Sequence, residues 1–359
     1  MRLAALDLAA TMARLDVGDV FDEIASRIKR ALWWGLEKLW LLFDTAMRWW
    51  DTVEEFLTFV LRMLMAEREI LSALRDAYRE VRDVTLLQLM MDMQLAYDPP
   101  KAPRYRFDEQ VRRMRLLASE GDGILLGFTA FDPRRGGFSL PDRFLGAKFY
   151  PAMGYRPAGN DDPELQRSVD AFFSACVASD TPVFTHCTPK GFQARTGSGT
   201  NAHPKYWATA LSAFPTLRLC LGHAGGGRMS NGALDSPGWF AANDDEWSRP
   251  DNFGSSVAEL CRRYERVYCE FGHLDEVLDE HAPEREAFES NFAREWTSTA
   301  GPYSFATKCM FGSDHHMPKM INRAADLLEY FRGVFARHRL DGFADFCGGN
   351  ARAYLKLTL

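Results

Sequence analysis

The sequence has little of what would mark a nucleic-acid-binding or a secreted protein. Its 43 lysine and arginine residues are outnumbered by 49 aspartate and glutamate residues, and the net charge of −6 gives no electrostatic reason to bind nucleic acid. The seven cysteines are scattered and include no CxxC pair, so they predict reduced core residues rather than a disulfide framework. The opening “MRLAALDLAATMARLDVGDV” has early acids and no small-residue cleavage site. We expect a cytoplasmic globular protein.

Two further absences concern cofactors and membranes. No GxGxxG motif follows a predicted strand, and the “GHAGGG” segment comes late in the chain without a matching acid, so a dinucleotide-binding fold has no support. No apolar run reaches the about 18 residues that a membrane-spanning helix needs. We expect neither a nucleotide-binding domain of that kind nor a transmembrane segment.

The first 82 residues differ from the rest in composition and in the spacing of their apolar residues. They contain no proline, are rich in leucine and charged residues, and carry apolar residues at three- and four-residue spacing, which predicts a helical region. Five of the nine tryptophans lie between Trp33 and Trp50, where charged residues interrupt the apolar run. We favour helices that pack on the rest of the protein or on a second subunit, which would make a homo-oligomer. A helix lying at a membrane interface is the alternative.

From residue 83 the pattern changes to short apolar runs separated by amphipathic helical stretches. Most runs lack polar alternation, as expected of strands covered on both faces. Strand and helix alternate at a recurring spacing, which predicts parallel β/α units, either closed into a barrel or opened into a doubly wound sheet. The predicted strands are “VTLLQLMMD” (84–92), “ILLGFTAFD” (124–132), “LGAKFYP” (145–151), “PVFTHC” (182–187), “LRLCLGH” (217–223), “ERVYCEF” (265–271) and “KCMFGSD” (308–314).

Polar residues at the ends of these runs favour the barrel. Four of them each fall at or just past the downstream end of a different run: Lys148, His186, His223 and Asp314. In a (β/α)8 barrel those ends converge on one face, where the active sites of such enzymes lie. The sequence therefore predicts an α/β fold, a TIM-like (β/α)8 barrel with these side chains at its mouth.

Three of the four side chains suit a divalent metal ion. Two imidazoles and a carboxylate are ligands of a borderline ion, zinc first, with manganese, iron or nickel as alternatives. Such an ion lowers the pKa of bound water to about 7 and so supplies hydroxide, and Asp314 is the candidate to take and return the proton. As an ammonium, Lys148 has no lone pair for a metal. A salt bridge or a contact with a substrate anion is the alternative role for this lysine.

Five segments resemble the strand-end motifs of the amidohydrolase superfamily, in particular its amidohydrolase-related (amidohydrolase-2) branch. They are “GAKFYPAMGY”, “PVFTHCTP”, “FPTLRLCLGHAGG”, “FGSDHHMP” and “FCGGNARAYL”, and the resemblance covers roughly residues 84–359 by order and spacing. It implies that His186 and His223 bind the metal and that Asp314 both binds it and carries the proton. The “KFYPA” piece is also similar to dihydroorotase-like members, which implies that Lys148 is carboxylated and thereby becomes a ligand.

One part of the family pattern is missing. The family's first strand ends in His-x-His, which supplies two metal ligands, and this chain has no histidine before His186. The seven predicted strands then count as strands 2 to 8, and strand 1 is lacking. We expect either that the natural reading frame begins upstream or that half of the metal site has been lost. The expected organisation is a helical insertion or lid over residues 1–82 and an amidohydrolase-like β/α barrel over residues 83–359.

Four further residues are candidates for substrate binding. Arg134 and Arg135 lie in the loop “AFDPRRGG”, where an arginine would hold a substrate carboxylate by two parallel hydrogen bonds. His203 lies on a glycine- and serine-containing loop near the predicted mouth, and His273 follows “VYCEFG”.

The leading prediction is a metal-dependent hydrolase that uses a metal-bound hydroxide on a C–N or C–O bond of a small cyclic or carboxylated substrate. The same branch includes non-oxidative decarboxylases of aromatic or unsaturated acids, so decarboxylation on this scaffold is an alternative. A third hypothesis is a degenerate barrel without catalysis that serves in binding or assembly through its tryptophan-rich helices.

Overall fold

The structure is a computed structural model that describes residues 65–96, 105–120, 123–230, 234–278, 283–315 and 323–357. The chain forms two compact units, Met1–Val60 and Leu61–Leu359, and the described residues belong to the second. The tryptophan-rich residues 33–50 lie outside the described residues, so their helices, their part in assembly and the lid role of residues 1–82 stay predictions. None of the described helices is long and apolar enough to cross a membrane.

Helices and strands alternate along the described part of the chain. The strands are β1 (Leu86–Leu89), β2 (Leu125–Phe131), β3 (Phe144–Phe149), β4 (Val183–His186), β5 (Leu219–Gly222), β6 (Met229–Ser230), β7 (Asp235–Ser236), β8 (Val267–Phe271) and β9 (Cys309–Phe311). The helices are α1 (Glu67–Ala77), α2 (Phe107–Glu120), α3 (Pro163–Ala178), α4 (Pro204–Ala213), α5 (Asp244–Trp247), α6 (Phe253–Arg263), α7 (Pro283–Trp296), α8 (Ala324–Arg337) and α9 (Asn350–Leu355).

Seven strands form one parallel, curled sheet in the order β1, β2, β3, β4, β5, β8, β9. Neighbours in the sheet follow the order of the chain, as repeated β/α units with right-handed connections produce. The remaining strands, β6 and β7, form a small antiparallel pair. Each of the seven predicted strands overlaps one strand of the parallel sheet. The predicted TIM-like α/β fold is therefore confirmed, with seven parallel strands among the described residues.

The register of the strands arranges the inward side chains in layers, because successive side chains of a strand point to opposite faces. One layer holds Lys148, Phe184, Cys220 and Tyr268. The layer above it holds His186, Gly222, Glu270 and Met310. Apolar members of both layers pack with Phe128 and Tyr354 in one cluster inside the curl. The polar members therefore lie above an apolar filling.

Aromatic rings dominate the packing between the outer face of the sheet and its helices. Phe149 of β3 contacts Phe172 and Phe173 of α3 and Trp207 of α4, with ring centroids 5.2 to 6.2 Å apart. These rings belong to the largest apolar cluster of the described residues. Close packing of this kind holds the strands in place, and through them the polar residues at their ends.

Residues near the C-terminus close the end of the curled sheet at which the strands begin, opposite to His186. The Tyr354 side chain of α9 is 1% exposed, and its hydroxyl donates to the Val183 carbonyl at 2.9 Å. Arg218, which precedes β5, donates to the Tyr354 carbonyl at 2.8 Å and pairs with Asp180. Access to the interior is therefore from the end at which the strands terminate.

We expect Gly146→Ala to lower the free energy of unfolding by about 1–3 kcal/mol. The added methyl group would collide with a backbone oxygen and with a buried ring, and neither of them can move aside without a large cost in free energy. A Cβ at Gly146 would fall on the Pro182 carbonyl oxygen and on the Phe128 ring. Gly348→Ala is the matched control, since no atom lies within 4 Å of its Cβ position, and it should change stability by less than about 0.5 kcal/mol. Urea unfolding of both variants measures the difference. A Gly146→Ala protein as stable as wild type would contradict the packing described above.

Candidate active site

The structure places the four predicted strand-end residues on one face of the sheet. They lie in or just after different strands: Lys148 in β3, His186 at the end of β4, His223 after β5 and Asp314 after β9. The rings of His186 and His223 meet edge to face, with centroids 4.8 Å apart. His273 links Asp314 to these rings, because its centroid lies 6.4 Å from that of His223 and its Nδ1 lies 3.1 Å from Asp314 Oδ2. We call these four residues the strand-end cluster.

Left-handed backbone directs several of these side chains. The φ angle is 62° at His223, 55° at His273 and 47° at Asp314. Ala224 follows with a φ of 48°, so the chain turns sharply as it leaves β5. A left-handed conformation costs a residue with a Cβ roughly 1–2 kcal/mol, and such strain is concentrated at functional sites. The observed strain therefore points to function at the mouth of the curl.

The two imidazoles of the cluster are neutral and held by carbonyl groups. His223 Nδ1 lies 3.2 Å from the Gly272 carbonyl oxygen, so Nδ1 carries the proton and Nε2 offers a lone pair. His186 Nε2 lies 2.8 Å from the Lys190 carbonyl oxygen, so Nδ1 is the acceptor nitrogen of that ring. Burial lowers the pKa of His223 to about 4 and the pKa of His186 well below its ordinary value. Neutral imidazole is the form that binds metals.

Lys148 is a buried amine with a lowered pKa. Its side chain lies on the Phe184 ring, with Nζ 4.4 Å from the ring centroid. Burial lowers the pKa of Lys148 to about 8, although the nearby carboxyl groups of Asp314 and Glu270 oppose that change. Part of the amine is therefore neutral near pH 7, and the neutral amine is the nucleophilic form.

His273 lies between two carboxylates. Its Nδ1 is 3.1 Å from Asp314 Oδ2, and its Nε2 is 3.5 Å from Asp275 Oδ1. Burial disfavours the charged ring, but the hydrogen bonds to Asp275 and Asp314 outweigh burial and raise the pKa of His273 to about 9. At neutral pH the ring is an imidazolium that fixes the Asp314 carboxylate. The residue predicted to face the substrate thus also contacts the strand-end cluster.

Glu270 is a site residue that the sequence analysis missed. It points inward from β8, and its carboxylate accepts the His223 backbone N–H at 3.2 Å. Burial raises the pKa of Glu270 to about 7. A Cβ at Gly272 or Gly312 would collide with this carboxylate, so both glycines leave it room. A single acid at an inward position of the apolar run “VYCEF” was the available signal, since side chains alternate along a strand.

Tyr150 is a second missed residue. It follows β3, is 7% exposed, and stacks on His186 with ring centroids 4.5 Å apart and an interplanar angle of 15°. The stacking fixes the plane of the imidazole. Sequence alone offered only the position of Tyr150 two residues after Lys148.

Carboxylates of the chain hold both predicted substrate-binding arginines. Arg134 Nε donates to Asp132 Oδ1 at 2.8 Å, and the same guanidinium reaches the second oxygen of that carboxylate. Arg135 pairs with Asp92, and its Nη2 donates to Gln94 Oε1 at 2.8 Å. These donors are engaged within the protein, and a role for either arginine in substrate binding stays a prediction.

His203 caps a helix. Its Nδ1 accepts the Lys205 backbone N–H at 3.0 Å at the start of α4, and its ring lies 4.5 Å from the Phe253 ring. Burial lowers the pKa of His203 to about 4. The proline that follows it, at the first position of α4, is a local signal that identifies this capping role. Its predicted contact with substrate is untested.

The donor chemistry of the strand-end cluster fits a divalent ion. Two neutral imidazoles and a carboxylate are donor types that zinc takes, and the Nδ1–H bond from His223 to a carbonyl is a contact that orients ligating histidines. Within the described residues, however, no group of three or more histidine, cysteine, aspartate and glutamate side chains is arranged to hold an ion. The described residues therefore supply part of a ligand set.

We expect protonation of His203 to reduce stability at acidic pH. Its pKa in the folded state, about 4, lies below the ordinary 6.5, so the unfolded chain binds the proton first as the pH falls. The stabilising contribution of the neutral ring is therefore complete above pH 6.5 and is lost as the pH falls towards 4. His203→Asn keeps a capping side chain that does not titrate. Urea unfolding at pH 7.5 and pH 5 should show a smaller loss of stability in this variant, and equal losses would contradict the argument.

Comparison with known proteins gives one family match and several structural likenesses. The family model described as “Amidohydrolase” matches residues 112–357, whereas no curated protein matches the chain. An amidohydrolase from Burkholderia multivorans with bound zinc is 16% identical, with a TM-score of 0.49, over 80% of this chain and 88% of that one. Dihydroorotase from Campylobacter jejuni is 16% identical, with a TM-score of 0.43, over 77% and 83% of the two chains. 2,6-Dihydroxybenzoate decarboxylase from Rhizobium is 14% identical, with a TM-score of 0.43, over 78% and 86%.

The family match covers more than half of the chain and includes the candidate site. It begins within α2 and ends after α9, so it contains β2 to β9 and all four residues of the strand-end cluster. The chain belongs to the amidohydrolase family.

Proposed function

We propose that the protein is a metal-dependent hydrolase that cleaves a C–N or C–O bond of a small carboxylated or cyclic substrate. One observation carries the proposal: the His186 and His223 rings lie with centroids 4.8 Å apart, and His273, whose centroid is 6.4 Å from that of His223, contacts the Asp314 carboxylate at 3.1 Å. The position supports it as well, because barrel enzymes place their active sites at the carboxyl ends of the strands. Membership of the amidohydrolase family is consistent with this reaction class.

His186, His223 and Asp314 would hold the metal ion, zinc first by the chemistry of these donors. A bound ion would lower the pKa of water and polarise the substrate. Lys148 would join the ligands after carboxylation, since its pKa of about 8 leaves neutral amine available to react with carbon dioxide.

Asp314 and His273 form the proposed proton-handling pair. Asp314 would take a proton from water and return it to the leaving group. His273, at 3.1 Å, orients the Asp314 carboxylate, and Asp275 on the far side of the ring keeps the imidazole charged. Asp314 follows β9 and His273 follows β8, and the His273 ring centroid lies 6.4 Å from that of His223.

The charges of the site favour a substrate that carries a carboxylate. His273 is a cation at neutral pH, and Lys148 is a cation in part. Arg134 and Arg135 already pair with aspartates of the chain. Asp314 and Asp275 occupy both ring nitrogens of His273. An anionic group would therefore lie near Lys148, above the Phe184 ring that forms the apolar floor under this lysine.

Metal analysis tests the ligand assignment. After reconstitution with zinc and removal of excess metal, we expect the wild-type chain to retain zinc and His223→Asn to lose most of it, because neutral imidazole is a principal zinc donor. Thr209→Ala, on the exposed part of α4, is a control that should retain zinc as wild type does. Less than about a tenth of an equivalent bound to wild type would contradict the proposal.

Product analysis tests the reaction class. With a panel of small cyclic amides, lactones and aromatic carboxylic acids, we expect hydrolysis products and a loss of about 10²- to 10⁴-fold in kcat for Asp314→Asn, because proton transfer contributes that much. Asp326→Asn, an exposed carboxylate on α8, should leave kcat unchanged. Release of carbon dioxide from the acids without hydrolysis would instead establish a decarboxylase.

A further inference from the structure

The curled sheet has two edges with an opening between them, which we call the seam. Within the described residues, strand pairing runs from β1 at one edge to β9 at the other, and neither edge strand pairs on its outer side. Unpaired edges expose backbone donors and acceptors and are costly unless another part of the chain covers them. A segment that covers both edges would therefore stabilise the sheet.

The segment 67–84, which contains α1 and the turn that leads into β1, contacts both sides of the seam. Leu74 and Val84 pack on the apolar cluster around β1 and α2. The same two side chains also pack on a second cluster, formed by Tyr78 of this segment with Ala324 and Leu328 of α8, and Phe311 of β9 packs on that cluster too. One short segment therefore joins the first strand of the sheet to the last strand and its helix.

Tyr78 links this segment to α8 by a hydrogen bond. It is 7% exposed, and its hydroxyl donates to the Ala324 carbonyl at 3.1 Å. Its ring meets the Phe311 ring edge to face, with centroids 6.5 Å apart. Tyr78 thus contacts β9 through the Phe311 ring and the start of α8 through the Ala324 carbonyl.

We propose that residues 67–84 close the seam in place of a strand, and that Tyr78 is a positioning residue for Asp314. Closure of the seam stands on the contacts alone. The positioning role rests on the proposed function, since it gives Asp314 a part in metal binding. A left-handed φ of 47° at Asp314 needs support from its surroundings, and the contact of Tyr78 with Phe311, three residues earlier, supplies it at the edge of β9 beside which no described strand lies.

Three variants of the full chain separate these roles. Tyr78→Phe removes the hydroxyl and keeps the ring, whereas Tyr78→Ala removes both. Tyr354→Phe is the matched control, because Tyr354 is also a buried tyrosine that donates to a backbone carbonyl, Val183 at 2.9 Å, at the opposite end of the curl. Each tyrosine-to-phenylalanine change deletes a comparable buried hydrogen bond.

Hydrogen exchange of the backbone amides tests closure of the seam. We expect Tyr78→Ala to speed exchange by about tenfold or more in both edge strands, Leu86–Leu89 and Cys309–Phe311, because loss of buried packing favours local opening. The central strands β4 and β5 should keep wild-type rates. Faster exchange spread evenly over the sheet, or confined to residues 67–84, would overturn the inference.

The visible absorption of bound cobalt(II) tests the positioning role. We expect Tyr78→Phe to weaken cobalt(II) binding by about tenfold, in the range found for groups that orient metal ligands, and Tyr354→Phe to leave it unchanged. Equal cobalt(II) affinity in wild type and Tyr78→Phe would overturn the positioning role. Absence of cobalt(II) binding by wild type would overturn both that role and the proposed metal chemistry, and closure of the seam would then be judged by exchange alone.

Discussion

Parallel register is the constraint on which the candidate site depends. It sets Glu270 level with His186 across β5 and places Lys148 one layer lower beside Phe184. Because each strand contributes alternate residues to the interior, a shift of one residue in any strand would exchange a polar group of the site for an apolar one of the outer cluster. The aromatic packing between sheet and helices prevents such shifts, so packing far from the site determines its chemistry.

The same arrangement produces the opposite charge states of neighbouring histidines. His186 and His223 lie near Lys148 and have carbonyl partners, so burial keeps them neutral. His273 has a carboxylate at each ring nitrogen and is charged. The centroid of His223 lies 4.8 Å from that of His186 and 6.4 Å from that of His273, so neighbouring imidazoles differ in charge through burial and through their partners. Such separation of proton affinities is what acid–base chemistry at neutral pH requires.

The sequence predicted the seven strands and the four strand-end residues because both depend on local pattern. Buried parallel strands appear as apolar runs, and polar residues that end such runs converge by topology. Contacts between distant segments gave no such signal. Arg135 is held by Asp92, 43 residues earlier in the chain, and only the folded structure shows that pairing. Left-handed backbone at His223, His273 and Asp314 was not predicted either, since histidine and aspartate adopt this conformation in only a minority of their occurrences.

The seal formed by Tyr354 has a consequence for the order of events during synthesis. Its hydroxyl bonds Val183, 171 residues earlier in the chain, and its ring fills the interior beneath Phe128. A ribosome releases the C-terminal segment last, so every strand of the sheet has emerged before the residue that fills the interior is available. The sheet therefore cannot acquire its complete interior packing until α9 has been synthesised.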